Sequence, residues 1–138
     1  MIAGTGSGCG KTMVTLTVLR AMQRRNIPLA AFKCGPDYID PMFHKAVLGI
    51  PSRNLDLFFI SEREVRGQIV RSIPQNGIGV IEGVMGFYDG VSGTTDTASA
   101  AHLARETGTP AILVVRPKGQ SLSLAAMLSG FRNYAENT

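Results

Sequence analysis

The sequence has little of several features that would assign it to a specialised class of protein. None of its apolar runs approaches the length of a transmembrane segment, and the run at the N-terminus is too short for a signal peptide. Its two cysteines, Cys9 and Cys34, cannot form a disulfide framework. A chain of 138 residues is still long enough to bury a core. We therefore expect one globular domain with no membrane partner, in a reducing cytoplasm.

Charge and histidine patterns argue against further classes. The net charge of +4 suits either a solvated surface or the attraction of anions such as nucleotides and polycarboxylates. Lysine and arginine are scattered, with no aromatic residues between them, so we expect no nucleic-acid partner. His44 and His102 lack zinc-site spacing and are expected to be ordinary, partly buried residues. No Ser/His/Asp or Cys/His arrangement for covalent catalysis is recognisable.

Glycine, by contrast, is concentrated in residues 1–12, MIAGTGSGCGKT. Such a loop lets successive backbone N–H groups turn towards an anion, and the helix that follows adds the positive end of its dipole. Lys11 would reach the β- and γ-phosphates of a nucleotide, and the Thr12 hydroxyl would bind Mg²⁺. The usual pattern, Gly-x4-Gly-Lys-Ser/Thr, places its first glycine at position 5, but here it is Gly4, so the loop is a lengthened variant. An ordinary glycine-rich turn is the plainer alternative. The predicted nucleotide-binding residues are Thr5, Gly6, Ser7, Gly8, Cys9, Gly10, Lys11 and Thr12.

Apolar patterns along the rest of the chain alternate between helix and strand. Helices are expected at residues 13–24, 42–48, 61–73 and 121–134. The last is interrupted at Gly130, and a further helix begins at Asp96 or Thr97 and ends near Thr107. Strands are expected at residues 29–32, 79–81 and 111–115, an irregular loop at 33–41 and a turn at 51–54. The alternation predicts an α/β fold, with a mostly parallel sheet flanked by helices and right-handed crossovers.

Acidic side chains follow two of these strands, at the edge where ligands bind in open α/β sheets. Glu82 ends one strand and is the predicted magnesium ligand opposite the phosphate loop, although many strands end in glutamate. Asp37 and Asp40 lie in a loop with two prolines, which suits metal binding and substrate positioning better than a simple turn. Asp89 lies in a glycine-rich segment and is either a substrate contact or part of a turn.

These segments together resemble the cobyrinic acid a,c-diamide synthases, glutamine-dependent amidoligases of cobalamin biosynthesis. The resemblance rests on residues 3–12 (AGTGSGCGKT), 32–41 (FKCGPDYIDP), 53–56 (RNLD), 80–90 (VIEGVMGFYDG) and 111–115 (AILVV), and it continues through 121–131. It covers essentially the whole chain and implies a P-loop NTPase-like fold similar to that of dethiobiotin synthetase. It also implies that ATP phosphorylates a side-chain carboxylate of a corrinoid, after which ammonia attacks the acyl phosphate.

The resemblance assigns roles to individual residues. The catalytic residues that it implies are Lys11, Asp37, Tyr38, Asp40 and Asp89, and the metal ligands that it implies are Thr12, Asp37 and Glu82. Lys11 would bind phosphate, and Asp37 would lie at the metal and reaction centre. The other catalytic residues would position the polycarboxylate substrate or the intermediate.

The family also carries a C-terminal glutaminase domain that supplies ammonia, and nothing in these 138 residues resembles it. Only residues 1–3 precede the loop, and residues 134–138 complete no further element. We therefore expect residues 1–138 to be a partial ATP-binding amidoligase domain of a longer protein, unable by itself to hydrolyse glutamine. A homodimer stays open, as does the substrate, which is cobyrinic acid, hydrogenobyrinic acid or nickel sirohydrochlorin.

Two departures from the family pattern remove one carboxylate and one hydroxyl contact. Arg116 stands where the family often has aspartate, and Ala100 stands where threonine is usual. Rival interpretations are a dethiobiotin-synthetase-like ligase, a chromosome-partitioning or septum-positioning ATPase switch, and an inert fragment. Residues 35–41 and 82–86 argue against the first, and the switch proteins carry an extra lysine that is absent from residues 4–6.

Overall fold

The chain alternates between strands and helices around one parallel sheet. The computed structural model describes residues 1–134, so the expectation for residues 135–138 lies outside the described residues. The strands are β1 (Ile2–Gly4), β2 (Leu29–Cys34), β3 (Ser52–Leu55), β4 (Ile78–Glu82) and β5 (Ile112–Val114). The helices are α1 (Lys11–Gln23), α2 (Ile39–Leu48), α3 (Glu62–Ser72), α4 (Ala100–Thr107) and α5 (Leu122–Asn133). The predicted α/β class is confirmed.

All five strands are parallel and lie in the order β3-β2-β4-β1-β5. The short stretch before the phosphate loop is therefore an internal strand, and all three of its residues are buried. The register pairs Glu82 at the end of β4 with Ile2 of β1 and Lys33 of β2. Because the carboxyl ends of these strands meet at one edge, the segments that follow them are gathered there.

Alternate residues of the central strands pack against helices on opposite faces of the sheet. Ala31 and Phe32 of β2 belong to different apolar clusters, as do Val80 and Ile81 of β4. The cluster on the α1 and α2 side contains Ile2, Leu19, Ala31, Leu48, Ile50 and Val80. The cluster on the α3 and α4 side includes Phe32, Leu55, Val65, Ile81 and Leu103. Within residues 1–134, no helix has both the length and the apolar character to cross a membrane.

The turn predicted at residues 51–54 is wrong. Residues Ser52–Leu55 form β3, which pairs in parallel with β2. The polar composition of this strand misled the prediction, because an edge strand packs on fewer neighbours than a central one. Pro51 stands just before the strand, where its missing N–H removes no ladder hydrogen bond.

The irregular loop predicted at residues 33–41 is shorter than expected at both ends. β2 continues to Cys34, and α2 begins at Ile39. Pro41 lies in the first turn of α2, where a missing N–H breaks no helical hydrogen bond. The Asp37 carboxylate starts this helix, since its Oδ1 accepts the backbone N–H groups of Ile39 at 2.8 Å and Asp40 at 3.4 Å.

Two further helix predictions are corrected. Ser99 caps α4 through its side chain, in place of the predicted Asp96 or Thr97. The Asp96 carboxylate instead pairs with Arg105 at 2.8 Å. Helix α5 continues through Gly130, so the predicted interruption is wrong.

Helix α3 begins with a capping box, which predicts the effect of a serine substitution. Ser61 Oγ accepts the Glu64 N–H at 3.3 Å, and the Glu64 carboxylate accepts the Ser61 N–H at 2.9 Å. Ser61→Ala removes the first acceptor, so we expect the free energy of unfolding to fall by about 1 kcal/mol. Urea denaturation followed by circular dichroism measures this. Ser72→Ala at the last residue of α3 is the matched control, and an equal loss there would contradict the capping explanation.

Candidate functional site

The segment between β1 and α1 needs its glycines for two reasons, backbone conformation and close packing. Gly8 and Gly10 have φ angles of 70° and 105°, which residues with a Cβ rarely adopt. A Cβ on Gly4 would collide with Cys9 Sγ and crowd the Lys11 side chain. Steric crowding therefore explains why position 4, one residue before the usual first glycine of the motif, is glycine.

The buried Lys11 joins this loop to the segment that follows β4. Its Nζ donates to the carbonyl oxygens of Gly6 at 2.9 Å and Met85 at 2.6 Å, and Cys9 Sγ lies 3.9 Å away. Of the other predicted nucleotide-binding residues, Ser7, Gly8 and Gly10 are exposed, while Thr5, Gly6, Cys9 and Thr12 are partly buried. The loop thus presents its tip to solvent and keeps its lysine inside.

The Thr12 hydroxyl meets the carboxylate that ends β4. It donates to Glu82 Oε1 at 2.6 Å and lies 3.4 Å from Asp40 Oδ1. Glu82 has no exposed surface. The first turn of α1 and the last residue of β4 therefore bring together two residues that were predicted as magnesium ligands, with Asp40 beside them.

A lysine that the sequence analysis missed, Lys33, lies among the acidic residues. It is 3% exposed, and its Nζ pairs with Asp40 Oδ2 and lies 3.6 Å from Asp37 Oδ2. The same ammonium donates to Glu82 Oε1 at 3.2 Å and to the Gly83 carbonyl at 3.1 Å. Three carboxylates therefore converge on one buried ammonium.

His44 is also part of this cluster, which corrects the expectation of an ordinary, partly buried residue. Its ring is fully buried. Nε2 lies 3.0 Å from Glu82 Oε2, and Nδ1 lies 2.9 Å from Ser52 Oγ. The unpredicted strand β3 is thus connected through α2 to the end of β4.

Sheet register explains why the polar side chains meet. Lys33 of β2 is paired with Asn54 of β3 on one side and with Glu82 of β4 on the other. Side chains at paired positions of parallel strands point to the same face. On that face α1 supplies Thr12 and α2 supplies His44, and these helices complete the cluster above the sheet.

Hydrogen bonds and charge keep the cluster ionised. Burial alone would raise the pKa of Glu82, but hydrogen bonds from His44 and Thr12 and the charge of Lys33 lower it to about 2. Burial would lower the pKa of Lys33, but Asp40 and Glu82 outweigh it and raise that pKa. Near neutral pH the centre therefore contains a carboxylate at Glu82 and an ammonium at Lys33.

The donor set fits a hard divalent cation such as Mg²⁺, which prefers hydroxyl and carboxylate oxygens. Glu82 Oε1 and Asp40 Oδ1 each lie within hydrogen-bond distance of Thr12 Oγ1. Three carboxylates face one ammonium, so the local charge favours a further cation. Asp37 fits less well as a ligand, because its Oδ1 accepts the N–H groups at the start of α2.

Two predicted site residues lie outside the buried cluster. Tyr38 is 80% exposed beside the first turn of α2. Asp89 is exposed, and its Oδ2 accepts the Gly86 N–H at 2.7 Å. Asp89 and Met85 line a cavity of about 690 Å³, and the Met85 carbonyl also holds Lys11. Asp89 is therefore near the phosphate loop but is not bonded to the carboxylates around Lys33.

A second group with metal-ligand chemistry lies between α3 and α4 and contains Glu62, His102 and Glu106. Arg66 lies 2.7 Å from Glu106 and 3.7 Å from Glu62, so one guanidinium pairs with both carboxylates. His102 Nδ1 accepts the Ala98 N–H, which leaves the ring proton on Nε2 in the neutral form. The three side chains of this group are therefore engaged in ion pairs and in a hydrogen bond near the start of α4.

Comparison with known proteins identifies a family. Residues 1–129 match the family described as the CobQ/CobB/MinD/ParA nucleotide binding domain. Proteins named cobyrinate a,c-diamide synthase are similar: 46% identity over 134 residues in Salmonella typhimurium, 47% over 135 in Clostridium acetobutylicum and 42% over 135 in Thermoplasma acidophilum. These alignments cover 97–98% of this chain but only 29–30% of the relatives. The chain therefore spans less than a third of the length of the curated relatives that it matches.

The burial of Lys33 among three carboxylates predicts a large effect of removing its charge. Lys33→Met keeps an unbranched side chain but leaves Glu82 and its neighbours repelling one another in a buried place. We expect the free energy of unfolding at pH 7 to fall by about 3 kcal/mol, measured by urea denaturation.

The difference in free energy of unfolding between Lys33→Met and the wild type should become smaller as pH falls below 4.5, the ordinary pKa of glutamate. The folded wild type binds a proton at Glu82 only near pH 2, so its stabilising contacts are lost between those values. The variant keeps the hydrogen bonds from His44 and Thr12 and lacks only the charge of Lys33, so the part of the stabilisation that Lys33 supplies is what disappears from the comparison. Lys45→Met, at an exposed position of α2, is the matched control. Equal stability of the Lys33 and Lys45 variants would show that the buried ion pairs do not stabilise the fold.

Proposed function

This chain belongs to the CobQ/CobB/MinD/ParA nucleotide-binding domain family, and on that basis we propose that it binds ATP with Mg²⁺ and activates a corrinoid carboxylate for amidation. The observation that carries the proposal is the contact between Thr12 of the phosphate loop and the buried cluster of Glu82, Asp40 and Lys33. The reaction class is that named for the similar proteins, cobyrinate a,c-diamide synthase.

The phosphate loop would bind the nucleotide through its backbone and Lys11. Residues 7–10, of which Ser7, Gly8 and Gly10 are exposed, lie at the N-terminus of α1, where the helix dipole favours an anion. The Lys11 ammonium now bonds two carbonyl oxygens, from Gly6 and Met85. Phosphate oxygens carry more negative charge than carbonyl oxygens, so they would compete for this ammonium.

Thr12, Glu82 and Asp40 would hold Mg²⁺, and Asp37 would contribute charge from a greater distance. When bound, the metal neutralises charge on the β- and γ-phosphates and on the transferring phosphoryl group. The oxygen donors of these three residues already lie beside the first turn of α1. The proposal therefore shifts the third ligand from Asp37 to Asp40, because Asp37 Oδ1 already accepts two backbone N–H groups at the start of α2.

Activation is needed because a carboxylate is a poor acyl donor. An oxygen of the corrinoid carboxylate bonds to the γ-phosphorus while the bond to the β–γ bridging oxygen breaks, and ADP leaves. Ammonia then bonds to the carbonyl carbon, and the C–O bond to phosphate breaks. The phosphate that leaves takes the proton that the nitrogen loses. Lys33 is proposed to neutralise the two anions that must approach each other, since its ammonium lies at the centre of the cluster.

Substrate and partners belong to the same proposal. Tyr38 and Asp89, both exposed near the cluster and the loop, would contact the corrinoid. Ammonia would come from glutamine through a glutaminase domain, with residues 1–138 forming part of the amidoligase domain. The setting proposed for this biosynthetic reaction is the cytoplasm, and a homodimer is compatible with it.

An ATPase switch is the alternative within the family, whose description includes MinD and ParA. The lysine expected early in the loop of such switches is absent, because residues 4–6 are Gly4, Thr5 and Gly6. ATP-dependent dimerisation on DNA or lipid vesicles, with no effect of corrinoid, would favour the switch.

The role of Lys11 predicts the first functional result. We expect the protein to bind ATP with Mg²⁺ in isothermal titration calorimetry, and Lys11→Ala to weaken the affinity at least about tenfold, because a charge-assisted bond to phosphate is lost. Lys45→Ala, at an exposed lysine of α2, is the control and should bind as the wild type does. No heat of binding with the wild type would rule out the nucleotide site.

The acyl-phosphate step predicts an isotope transfer. With ATP, Mg²⁺, ammonium chloride and cobyrinic acid labelled with ¹⁸O in its carboxylates, we expect one ¹⁸O atom in each inorganic phosphate released, since the attacking carboxylate oxygen leaves with phosphate. Mass spectrometry of the phosphate measures it. Unlabelled phosphate accompanying amide formation would exclude this intermediate, and the absence of any amide with ammonia supplied would contradict the proposed activity of the chain.

A further inference from the structure

His44 connects α2 and β3 to Glu82 at the end of β4, and none of its contacts is used in the function proposed above. We propose that His44, held in turn by Ser52, is a positioning residue that reserves Glu82 Oε1 for the nucleotide site by binding Oε2. The consequence for metal and nucleotide rests on the proposed function. The hydrogen-bond arrangement itself does not, and it is tested separately below.

The two oxygens of Glu82 have different partners. Oε1 accepts hydrogen bonds from Thr12 at 2.6 Å and from Lys33 at 3.2 Å. Oε2 lies 3.0 Å from His44 Nε2. Because Thr12 belongs to the phosphate loop, Oε1 is the oxygen on the side of that loop, and Oε2 is the oxygen on the side of α2 and β3.

The chemistry of the donors sets the direction of this chain of bonds. An ionised carboxylate only accepts hydrogen bonds, so His44 Nε2 must carry a proton and donate a hydrogen bond to Oε2. In the neutral ring Nδ1 is then an acceptor, and the Ser52 hydroxyl, 2.9 Å away, donates to it. In that form of the ring the hydrogen bonds run from Ser52 through His44 to Glu82.

The position of His44 is determined by packing on both sides. The ring lies on the buried face of α2, one turn before Leu48, which packs in the apolar cluster beneath this helix. Ser52 belongs to β3, whose backbone is fixed by pairing with β2 at Ala31. An imidazole that is fully buried and bonded at both nitrogens has little freedom to rotate, so it restrains the Glu82 carboxylate.

Without this restraint, either oxygen or both could turn towards Thr12 and Lys33. A carboxylate with one oxygen held by the protein binds a cation through the other oxygen alone, which suits the octahedral preference of Mg²⁺. Outer partners that orient ligands in this way typically change metal affinity 10- to 100-fold when they are removed. We therefore infer that His44 affects binding of the metal–nucleotide complex and not of the nucleotide alone.

The test compares two substitutions at His44 with a control in the same helix. His44→Leu removes the donor to Oε2, whereas His44→Gln retains an N–H group at about the same distance from the backbone. Leu48→Val trims the same buried face one turn later without touching Glu82. Binding of ATP is measured with Mn²⁺ and, separately, with EDTA.

We expect His44→Leu to weaken Mn²⁺·ATP binding 10- to 100-fold while binding of metal-free ATP changes less than about twofold. His44→Gln should recover most of the affinity, and Leu48→Val should match the wild type in both. Equal weakening with and without Mn²⁺, or no rescue by glutamine, would overturn the positioning role and leave His44 as a packing residue.

A second measurement does not depend on nucleotide binding. Nitrogen-15 NMR of histidine-labelled protein is expected to show a proton on His44 Nε2, with the Nδ1 resonance shifted in Ser52→Ala. A ring without a proton on Nε2 would overturn the inference. If the wild type shows the expected ring state but binds no Mn²⁺·ATP, the proposed nucleotide function fails while the arrangement around Glu82 stands.

Discussion

The structure depends on keeping one fully buried carboxylate, Glu82, ionised. An isolated charge in such a place would take up a proton instead, because burial destabilises the charged form. Donors from three different elements prevent this: Thr12 from α1, Lys33 from β2 and His44 from α2. Each donor restricts its own element relative to β4, so the compensation of one charge also fixes the geometry at the carboxyl edge of the sheet.

Short sequence motifs were sufficient to predict those parts of this edge whose interacting residues are neighbours in the sequence. The phosphate loop follows from its glycines and from Lys11 and Thr12, and the capping box of α3 follows from Ser61 and Glu64. The central strands are apolar because helices cover both faces of the sheet, and such runs are recognisable without knowing their neighbours. In these cases the residues that make the interaction are close in sequence.

Prediction failed where a residue's role is decided by its partner in space. The sequence pattern predicts Lys33 as the start of an irregular loop, yet it continues β2 on the same face as Ala31, two residues earlier, and meets Glu82 only through strand register. The role of His44 depends on Ser52, which lies in the polar strand β3 that was predicted as a turn. One signal in the sequence could have indicated the role of Lys33. It stands two residues after Ala31, so it fits the alternation of the preceding apolar strand and would be expected on the same buried face.

The Asp37 side chain gives the site a mechanical property through its two oxygens. Oδ1 holds the first N–H groups of α2, and Oδ2 faces the Lys33 ammonium at 3.6 Å. Any added positive charge at the centre pulls on the same carboxylate that starts the helix, so the order of that first turn and the charge at the centre are thermodynamically linked. Tyr38 and Ile39 stand exposed on this turn, so a single carboxylate joins the buried centre to an exposed part of the surface.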